Sequence, residues 1–260
     1  MDSKTRRSLI AQRLSDDGEA TIVALAESFG TSEMTIRRDL DFLELEGLAR
    51  RIRGGAISVQ SRSFEPPILQ RAASMSDAKR RIGLAAVALL RENETIILDG
   101  GSTTHEMAKA IPDTLSITVI TSSLLIATEL SNKPLVRTIV TGGTVRYGEM
   151  SLVGPRAQES FADLNCDAYF IGVAGVSDVT GISEYNLDDA YVKKAALSAA
   201  RRKIVLADAS KINQVAFITI ADIEDIDVLI TNGSPSNETL HRINERGVEL
   251  LHVEPFTEEK

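Results

Sequence analysis

The chain has 260 residues, of which 43% are hydrophobic and 25% are charged. This much apolar surface excludes a disordered chain, and the length predicts one large α/β domain or two unequal domains. The longest apolar stretch lies near 82–90, far short of the roughly 20 residues that cross a bilayer, so we expect no membrane span. Cys166 is the single cysteine and no signal-type apolar region opens the chain, which favours a reducing cytoplasm. The net charge of −8 opposes binding to a polyanion on average.

Residues 3–56 predict three short helices followed by a β-hairpin. Apolar residues recur at helical spacing before the stop at 16–18, and again over 23–29 before Gly30. Ser32 is placed to cap a third helix that ends near Gly47. Strand-like alternation then runs over 48–53 and breaks at two glycines. The apolar stripe of the third helix comprises Ile36, Leu40 and Leu43.

The composition changes to Ser, Gln, Arg and Pro after the hairpin, which is typical of a linker. We therefore predict a small domain over 1–57, a linker over 58–76 and a larger domain over 77–260. In the larger domain β-branched runs alternate with helical patterns, which predicts an open, mainly parallel sheet covered on both faces. The predicted strands are 95–98, 117–121, 136–140, 169–173, 204–206 and 228–230, and the predicted helices are 77–91, 104–110, 124–130, 188–202 and 237–246.

The polar face of the third helix suggests contact with DNA. A helix docked in the major groove needs short polar or cationic side chains near its N-terminus, while its apolar stripe packs on the preceding helix. Arginines in the hairpin can contact phosphates as a wing. The face and the wing comprise Met34, Thr35, Arg37, Arg38 and Asp41, with Arg50, Arg51 and Arg53. The alternative is a structural helical cap, because Asp39 follows the arginine pair and nearby acidic residues keep the segment close to neutral.

Five predicted strands end in small clusters rich in Gly, Ser and Thr. In open α/β sheets, ligands bind beyond the carboxyl ends of the strands, where backbone N–H groups favour an anion. Each cluster alone could be an ordinary tight turn, but together they suggest a phosphorylated small molecule. No Walker pattern or G-x-G-x-x-G is present, so we expect no nucleotide cofactor, and His105 lacks the companions of a metal site. The clusters are 99–104, 121–123, 141–144, 172–175 and 208–211.

The stretch A-L-A-E-S-F-G-T-S-E-M-T-I-R-R-D-L at 24–40, with G-L-A-R-R-I-R-G-G-A at 47–56, resembles the winged helix-turn-helix of DeoR-type bacterial transcriptional regulators. The resemblance implies that the third helix and the wing bind DNA. Many relatives have His where Ile52-Arg53 places a guanidinium at the wing. The expected DNA-binding residues are Ser32, Met34, Thr35, Arg37, Arg38, Arg50, Arg51, Arg53, Gly54 and Gly55.

Residues 77–232 resemble the effector domain of the same regulators, which is similar to ribose-5-phosphate isomerase. The resemblance implies that hydroxyl and glycine residues hold a phosphate, that acidic residues and Lys211 contact the sugar or the phosphate, and that Arg71 and Lys79 couple the two domains. A solvated loop lysine is the alternative for Lys211. The expected effector-binding residues are Asp99, Gly101, Ser102, Thr103, Thr104, Ser122, Ser123, Gly142, Gly143, Gly175, Glu184, Asp208 and Lys211.

The function we expect is that of a sequence-specific DNA-binding regulator, a repressor of a sugar catabolic operon, whose DNA affinity is changed by a phosphorylated sugar. Its partners would be double-stranded operator DNA, the sugar and further copies of itself in a dimer or tetramer in the bacterial cytoplasm. The alternative is a sugar-phosphate isomerase-like enzyme with an accessory DNA-binding domain. Residues 1–71 hold 11 basic and 11 acidic residues, whereas 72–260 hold 18 and 26. All of the excess acid therefore belongs to the expected effector domain.

Overall fold

The computed structural model describes residues 2–58 and 62–254, which fall into two compact units, Met1–Ser74 and Met75–Lys260. The division lies inside the segment expected as a linker, 58–76. Residues 59–61 of that linker, residue 1 of the expected first domain and 255–260 of the expected last domain lie outside the described residues. None of the described helices has the length and apolar character needed to span a membrane.

The N-terminal unit contains the three predicted helices and the predicted hairpin. Its elements are α1 (Ser3–Asp17), β1 (Glu19–Thr21), α2 (Ile22–Phe29), α3 (Glu33–Leu45), β2 (Ala49–Ile52), β3 (Gly55–Ser58) and α4 (Ile68–Ala73). Gly30 ends α2 in the left-handed conformation, and the Ser32 side chain accepts a hydrogen bond from the backbone N–H of Thr35 to begin α3. The predicted stripe of α3 is fully buried in the core of this unit.

Two elements of this unit were not expected. Strand β1 adds to the hairpin and forms a three-stranded sheet in the order β1, β3, β2. Three residues are too few to show alternation, so only the pairing with β3 reveals this strand. Helix α4 lies within the predicted linker and begins directly after Pro67. Proline suits the start of a helix, because the first N–H groups there have no helical partner.

The C-terminal unit is built on a seven-stranded parallel sheet, which confirms the predicted fold class. The strand order is β15, β14, β12, β9, β4, β5, β6, and every neighbouring pair in it is parallel. The helices are α5 (Ser76–Val87), α6 (Ser102–Ala110), α7 (Leu124–Leu130), α8 (Pro155–Glu159), α9 (Leu187–Ser198) and α10 (Glu238–Glu245). The sheet strands are β4 (Thr95–Leu98), β5 (Ile117–Thr121), β6 (Val136–Val140), β9 (Cys166–Gly172), β12 (Ala200–Leu206), β14 (Val228–Thr231) and β15 (Glu249–His252).

Smaller antiparallel elements lie between these. A hairpin of β7 (Thr144–Arg146) and β8 (Ser151–Val153) follows β6. A second sheet has the order β10 (Gly175–Ser177), β11 (Gly181–Glu184), β13 (Ile218–Ala221). The helix expected over 188–202 ends earlier, at Ser198, because residues from Ala200 onward pair with β9 as strand β12.

Both faces of the central strands of the parallel sheet are buried, as their near-continuous apolar runs predict. Ile96 and Leu98 of β4 belong to one apolar cluster, whereas Ile97 between them belongs to the other. In β9, Phe170 joins the first cluster and Tyr169 the second. Because both sets of alternating strand residues are apolar, the polar residues that follow the strands meet at the strand ends.

Candidate DNA-binding and effector sites

Helix α3 presents a polar face to solvent. Its buried stripe lies opposite Met34, which is 60% exposed, and Arg37 and Arg38 are also exposed. Ser32 caps the helix at 3.2 Å from the Thr35 N–H, and the two hydroxyls lie 3.0 Å apart. The first turn of α3 therefore carries hydroxyl groups, and the next turn carries two guanidinium groups.

The arginine pair is not neutralised by Asp39, which follows it in sequence. Asp39 is 1% exposed and points toward α1, where its oxygens lie 2.5 Å from Arg6 Nε and 2.9 Å from Arg7 Nε. Arg37 has only a distant ion pair, 3.6 Å, with exposed Glu33. Within the described residues Arg38 has no hydrogen bond or ion pair. The acidic neighbour thus fixes α1 to α3 and leaves both guanidinium groups on the outer face.

The wing divides into exposed cations and residues that shape it. Arg50 and Arg53 are exposed. Arg51 turns back to α3, where its Nη1 donates to the Arg37 carbonyl and lies 3.1 Å from Asp41 Oδ1. Gly54 turns the chain with a φ of 89°. At the next position a Cβ would lie 2.2 Å from the Ala20 carbonyl oxygen, so only glycine allows β3 to pair with β1 there.

The loops after the adjacent strands β4 and β5 bring hydroxyl groups together. Helix α6 opens at Ser102 without a side-chain cap, so its first N–H groups have no partner from a capping residue. Ser123 caps α7 by accepting from the Ile126 N–H. A Cβ on Gly100 would lie 3.6 Å from Ser123 Cβ and 4.0 Å from Ser151 Cβ. The predicted residues Ser102, Thr103, Thr104, Ser122 and Ser123 are all more than nine-tenths buried.

A buried lysine joins two of the expected effector residues. Lys193 of α9 is 5% exposed, and its ammonium lies 2.8 Å from Asp99 Oδ2 and 2.7 Å from Glu184 Oε2. It also donates to the Gly172 carbonyl at 2.6 Å. These three contacts use all three protons of the ammonium. The residues at the ends of β4, β9 and β11 are therefore held by one cation from α9.

Charge and burial set the protonation of this cluster. Burial by itself lowers the pKa of Lys193, but the charges of Asp99 and Glu184 outweigh it and raise that pKa above its ordinary value. Burial raises the pKa of Asp99, although Lys193 acts in the opposite direction. Burial and the adjacent Asp99 also raise the pKa of Tyr169 well above its usual range. At neutral pH the cluster thus combines a charged lysine with a neutral phenol.

The remaining charged candidates lie at the end of β12. Asp208 accepts from the N–H and hydroxyl of Ser210 and lies 3.8 Å from the ammonium of buried Lys79. Lys211 is half-buried, and its Nζ lies 3.2 Å from the Tyr185 hydroxyl. Lys79, expected to couple the domains, is thus brought together with an expected effector residue. Arg71 donates to the Pro66 carbonyl at 2.9 Å and pairs with Glu65 within the N-terminal unit.

Two of the expected glycines, Gly143 and Gly175, have structural reasons to be glycine. A Cβ on Gly143 would lie 2.7 Å from the Val153 carbonyl oxygen, and one on Gly175 would lie 2.3 Å from the Gln214 carbonyl oxygen. The Gly142 N–H donates to the Ser160 hydroxyl at 3.2 Å. Gly101 begins α6 at the hydroxyl-rich loop. Of these four glycines, Gly101 is the one at the N-terminus of a helix, where backbone N–H groups lack helical partners.

Lys193 is not among the effector-binding residues expected from the sequence. The two adjacent lysines at 193–194 look like a solvated helix face, and their partners lie far away in the chain. One signal was available: position 193 falls on the apolar stripe of α9 with Ala190 and Leu197, where a charged residue needs a buried partner. No such signal marks Arg146, Ser151 or Tyr169, because only the tertiary structure brings them to the other site residues.

Family comparisons cover nearly all of this chain. The family described as DeoR-like helix-turn-helix domain matches residues 6–62, and the DeoR C terminal sensor domain matches 74–233. The chain belongs to the DeoR family of transcriptional regulators. It is 33% identical to the HTH-type transcriptional regulator GlpR of Haloferax volcanii over 95% of this chain and 96% of that protein. It is also 33% identical to the HTH-type transcriptional repressor GlcR of Bacillus subtilis over 86% of each, and to an L-fucose operon activator of Haemophilus influenzae over 89% and 93%.

Among solved structures, the chain is similar to ribose 5-phosphate isomerase A from Methanocaldococcus jannaschii, with a TM-score of 0.41 and 18% identity over 54% of this chain and 55% of that one. Each of the two DeoR family matches contains one of the two candidate sites. The helix-turn-helix match contains α3 and the wing, and the sensor match contains Asp99, Glu184 and Lys193. This DeoR-family chain is therefore a DNA-binding transcriptional regulator with a sensor domain.

Proposed function

We propose that this DeoR-family regulator represses a sugar catabolic operon and that a phosphorylated sugar, bound at the strand ends of the C-terminal unit, changes its affinity for operator DNA. The observation that carries the proposal is the exposed Arg37 and Arg38 pair on a helix whose other face is buried. The relative named after the L-fucose operon supports the choice of a sugar operon, and GlcR is named a repressor. The H. influenzae relative is named an activator, so repression itself needs a test.

On the DNA side, the proposed base and phosphate contacts come from the first two turns of α3. Ser32 and Thr35 supply hydroxyl groups, Met34 supplies an apolar contact, and the arginine pair supplies positive charge. Arg50 and Arg53 extend the positive surface along the wing. In this proposal Arg51, Gly54 and Gly55 position the wing, because their contacts and conformations lie within the unit.

On the effector side, the hydroxyl-rich loops at the ends of β4 and β5 surround the phosphate. The start of α6 adds backbone N–H groups, and its dipole favours negative charge. Asp99 and Glu184 face the sugar from the lysine cluster, and Asp208 with Lys211 contacts it from the end of β12. A ligand changes DNA affinity only through a difference in its own affinity for the two states of the protein. The coupling role of Arg71 and Lys79 is part of this proposal.

The assembly we propose is a homo-oligomer, a dimer or a tetramer, that places two α3 helices on half-sites about one helical turn of DNA apart, or a multiple of it. It acts in the bacterial cytoplasm and on the nucleoid when bound to DNA. We propose binding without turnover, in contrast to a sugar-phosphate isomerase, because one buried lysine holds both Asp99 and Glu184 in ion pairs. Incubation with sugar phosphates tests this: isomerised product formed in proportion to the protein would contradict it.

Operator binding tests the DNA half. Fluorescence anisotropy of a labelled fragment from upstream of the neighbouring genes gives the affinity over a range of salt concentrations. Arg38→Ala should weaken binding and lower the salt slope by about 1 if it contacts a phosphate, or weaken it by about 1–3 kcal/mol if it reads a base. Arg137→Ala, an exposed residue of β6, is the matched control and should bind as wild type. Equal affinity of the Arg38 and Arg137 variants would contradict the assignment.

A further inference from the structure

Among the described residues of the C-terminal unit, four buried hydroxyls have no hydrogen-bond partner, and two of them lie near the loop after β5. These two are Thr141 Oγ1, directly after β6, and Ser151 Oγ, at the start of β8. Both residues are only 7% exposed, and the Thr141 N–H donates to the carbonyl of Thr121 at the end of β5, next to Ser122. A buried hydroxyl without a partner costs stability and is rare in native proteins, so such a group indicates that a polar partner is absent from the free protein.

The β7 and β8 hairpin holds Ser151 at the hydroxyl-rich loops. Backbone bonds run from the Leu152 N–H to the Ser122 carbonyl at 2.7 Å and from the Leu124 N–H to the Met150 carbonyl at 2.9 Å. Ser151 also forms a bridge with Ser123. Gly100, in the loop after β4, lies against both serines, since a Cβ there would be 3.6 Å from Ser123 Cβ and 4.0 Å from Ser151 Cβ.

The hairpin of β7 and β8 also carries a cationic residue, Arg146, close to the hydroxyl-rich loops. Arg146 pairs directly with Ser151 in the antiparallel ladder, so the two side chains project from the same face of the hairpin. Arg146 Nε lies 2.6 Å from Asp189 Oδ2, and the side chain keeps 21% of its surface exposed. Asp189 lies one helical turn before Lys193 on α9, which places Arg146 beside the lysine cluster.

A phosphate group with two negative charges needs a cationic side chain at the loops after β4 and β5. The lysine cluster joins one ammonium to two carboxylates, and all three protons of that ammonium are already used. Lys211 follows β12, which is separated from β4 by β9, whereas the hairpin is bonded to the loop after β5, the neighbour of β4. Arginine offers paired donors that match the oxygens of a phosphate monoester.

We propose that Arg146 is the cationic contact for the phosphate of the effector, with Ser151 and Thr141 as hydroxyl donors, and that the phosphate replaces Asp189 as the partner of Arg146. The hairpin then changes its contact with α9 when the ligand binds. This inference rests on the proposed function, because it takes a phosphorylated effector as given. It adds the residues that select phosphate over an unphosphorylated sugar.

The test measures binding to the full chain by thermal shift and isothermal titration. The probes are inorganic phosphate, ribose 5-phosphate, fructose 1-phosphate, fructose 6-phosphate and glucose 6-phosphate, with the free sugars as controls. Arg146→Gln should weaken binding of the best probe about 10- to 100-fold, and Arg146→Lys should weaken it less. Arg137→Gln should bind as wild type. Inorganic phosphate that binds as tightly as every sugar phosphate would identify the free ion as the ligand and overturn the assignment to an effector sugar.

Two further variants separate ligand binding from a structural role. Asp189→Asn removes the closer of the two carboxylates that pair with Arg146, the other being Glu149 with its Oε2 3.9 Å from Arg146 Nη2, so the probe should bind about two- to fivefold tighter. Ser151→Ala removes an unpartnered buried hydroxyl, so the melting temperature of the free protein should stay or rise while probe affinity falls. If wild type binds a phosphorylated probe and both Arg146→Gln and Ser151→Ala bind it with the wild-type affinity, this inference is wrong and the proposed function stands. If no phosphorylated probe shifts wild type, both are overturned.

Discussion

Replacing Lys193 by methionine should destabilise the C-terminal unit more than any comparable change of a surface lysine. The variant removes the ammonium that lies 2.6–2.8 Å from Gly172 O, Asp99 and Glu184, and it leaves two carboxylates without their shared cation. Removing one partner of a buried ionic group costs about 3–5 kcal/mol. Since 1 kcal/mol lowers the melting temperature of a unit of this size by about 2–4 °C, we expect a decrease of about 6–20 °C.

Calorimetry at pH 7 measures this effect in full. The pKa of Lys193 is raised in the folded protein, so its contribution is complete below the unfolded pKa of lysine, about 10.4, and is lost only as the pH rises through the folded value. Lys194→Met is the matched control, because this neighbour is exposed and its loss should change stability by less than about 0.5 kcal/mol.

A triple variant tests the cause of the destabilisation. Lys193→Met combined with Asp99→Asn and Glu184→Gln removes all three charges, so it should be more stable than the single variant. A Lys193→Met protein that melts with the Lys194→Met control would refute the reasoning, since the cluster would then contribute nothing to the fold. A triple variant that melts below the single one would show that unpaired carboxylates are not the cause.

Three further predictions concern other parts of the chain. Gly55→Ala should abolish operator binding and lower the melting temperature of the N-terminal unit, because a Cβ would lie 2.2 Å from the Ala20 carbonyl oxygen; full binding would contradict this. The hydrogen bond from Arg242 lowers the pKa of Asp178 in the folded state, so the stability that this pair contributes is present above about pH 4 and is lost as the pH falls through the folded pKa. In Asp178→Asn, the melting temperature should therefore depend less on pH below about pH 4 than it does in wild type. An unchanged pH dependence would count against the pair. Lys211→Ala should remove effector-induced release from DNA while operator binding persists, and release that survives would exclude Lys211 from the site.

Periodicity and turn chemistry were enough to predict the main elements. The bounds of β4, β5 and β6 were predicted to the residue, because each is a short β-branched run between clear turn signals. The parallel sheet followed from the repeated order of strand and helix. The short antiparallel strands were missed because three-residue segments such as β1, β7 and β8 show no periodicity, and they form only when a distant partner is in place.

The candidate sites also contain some features that the sequence predicts and others that it does not. The outward arginines of α3 follow from the helical wheel, because the stripe of Ile36, Leu40 and Leu43 fixes which side is buried. The inward pairing of Asp39 with α1 does not follow, since its partners lie more than 30 residues earlier in the chain. The lysine cluster is harder still, because α9 brings Lys193 to residues from three other segments.

In the function proposed above, one chain joins operator binding to the binding of a phosphorylated ligand. The most direct test is a titration of the full chain on labelled promoter DNA, with and without each sugar phosphate, at several salt concentrations. We predict an affinity that falls steeply with salt and a change in affinity with at least one phosphorylated sugar, but not with its unphosphorylated form. An affinity independent of salt, or one that no sugar phosphate changes, would contradict the account.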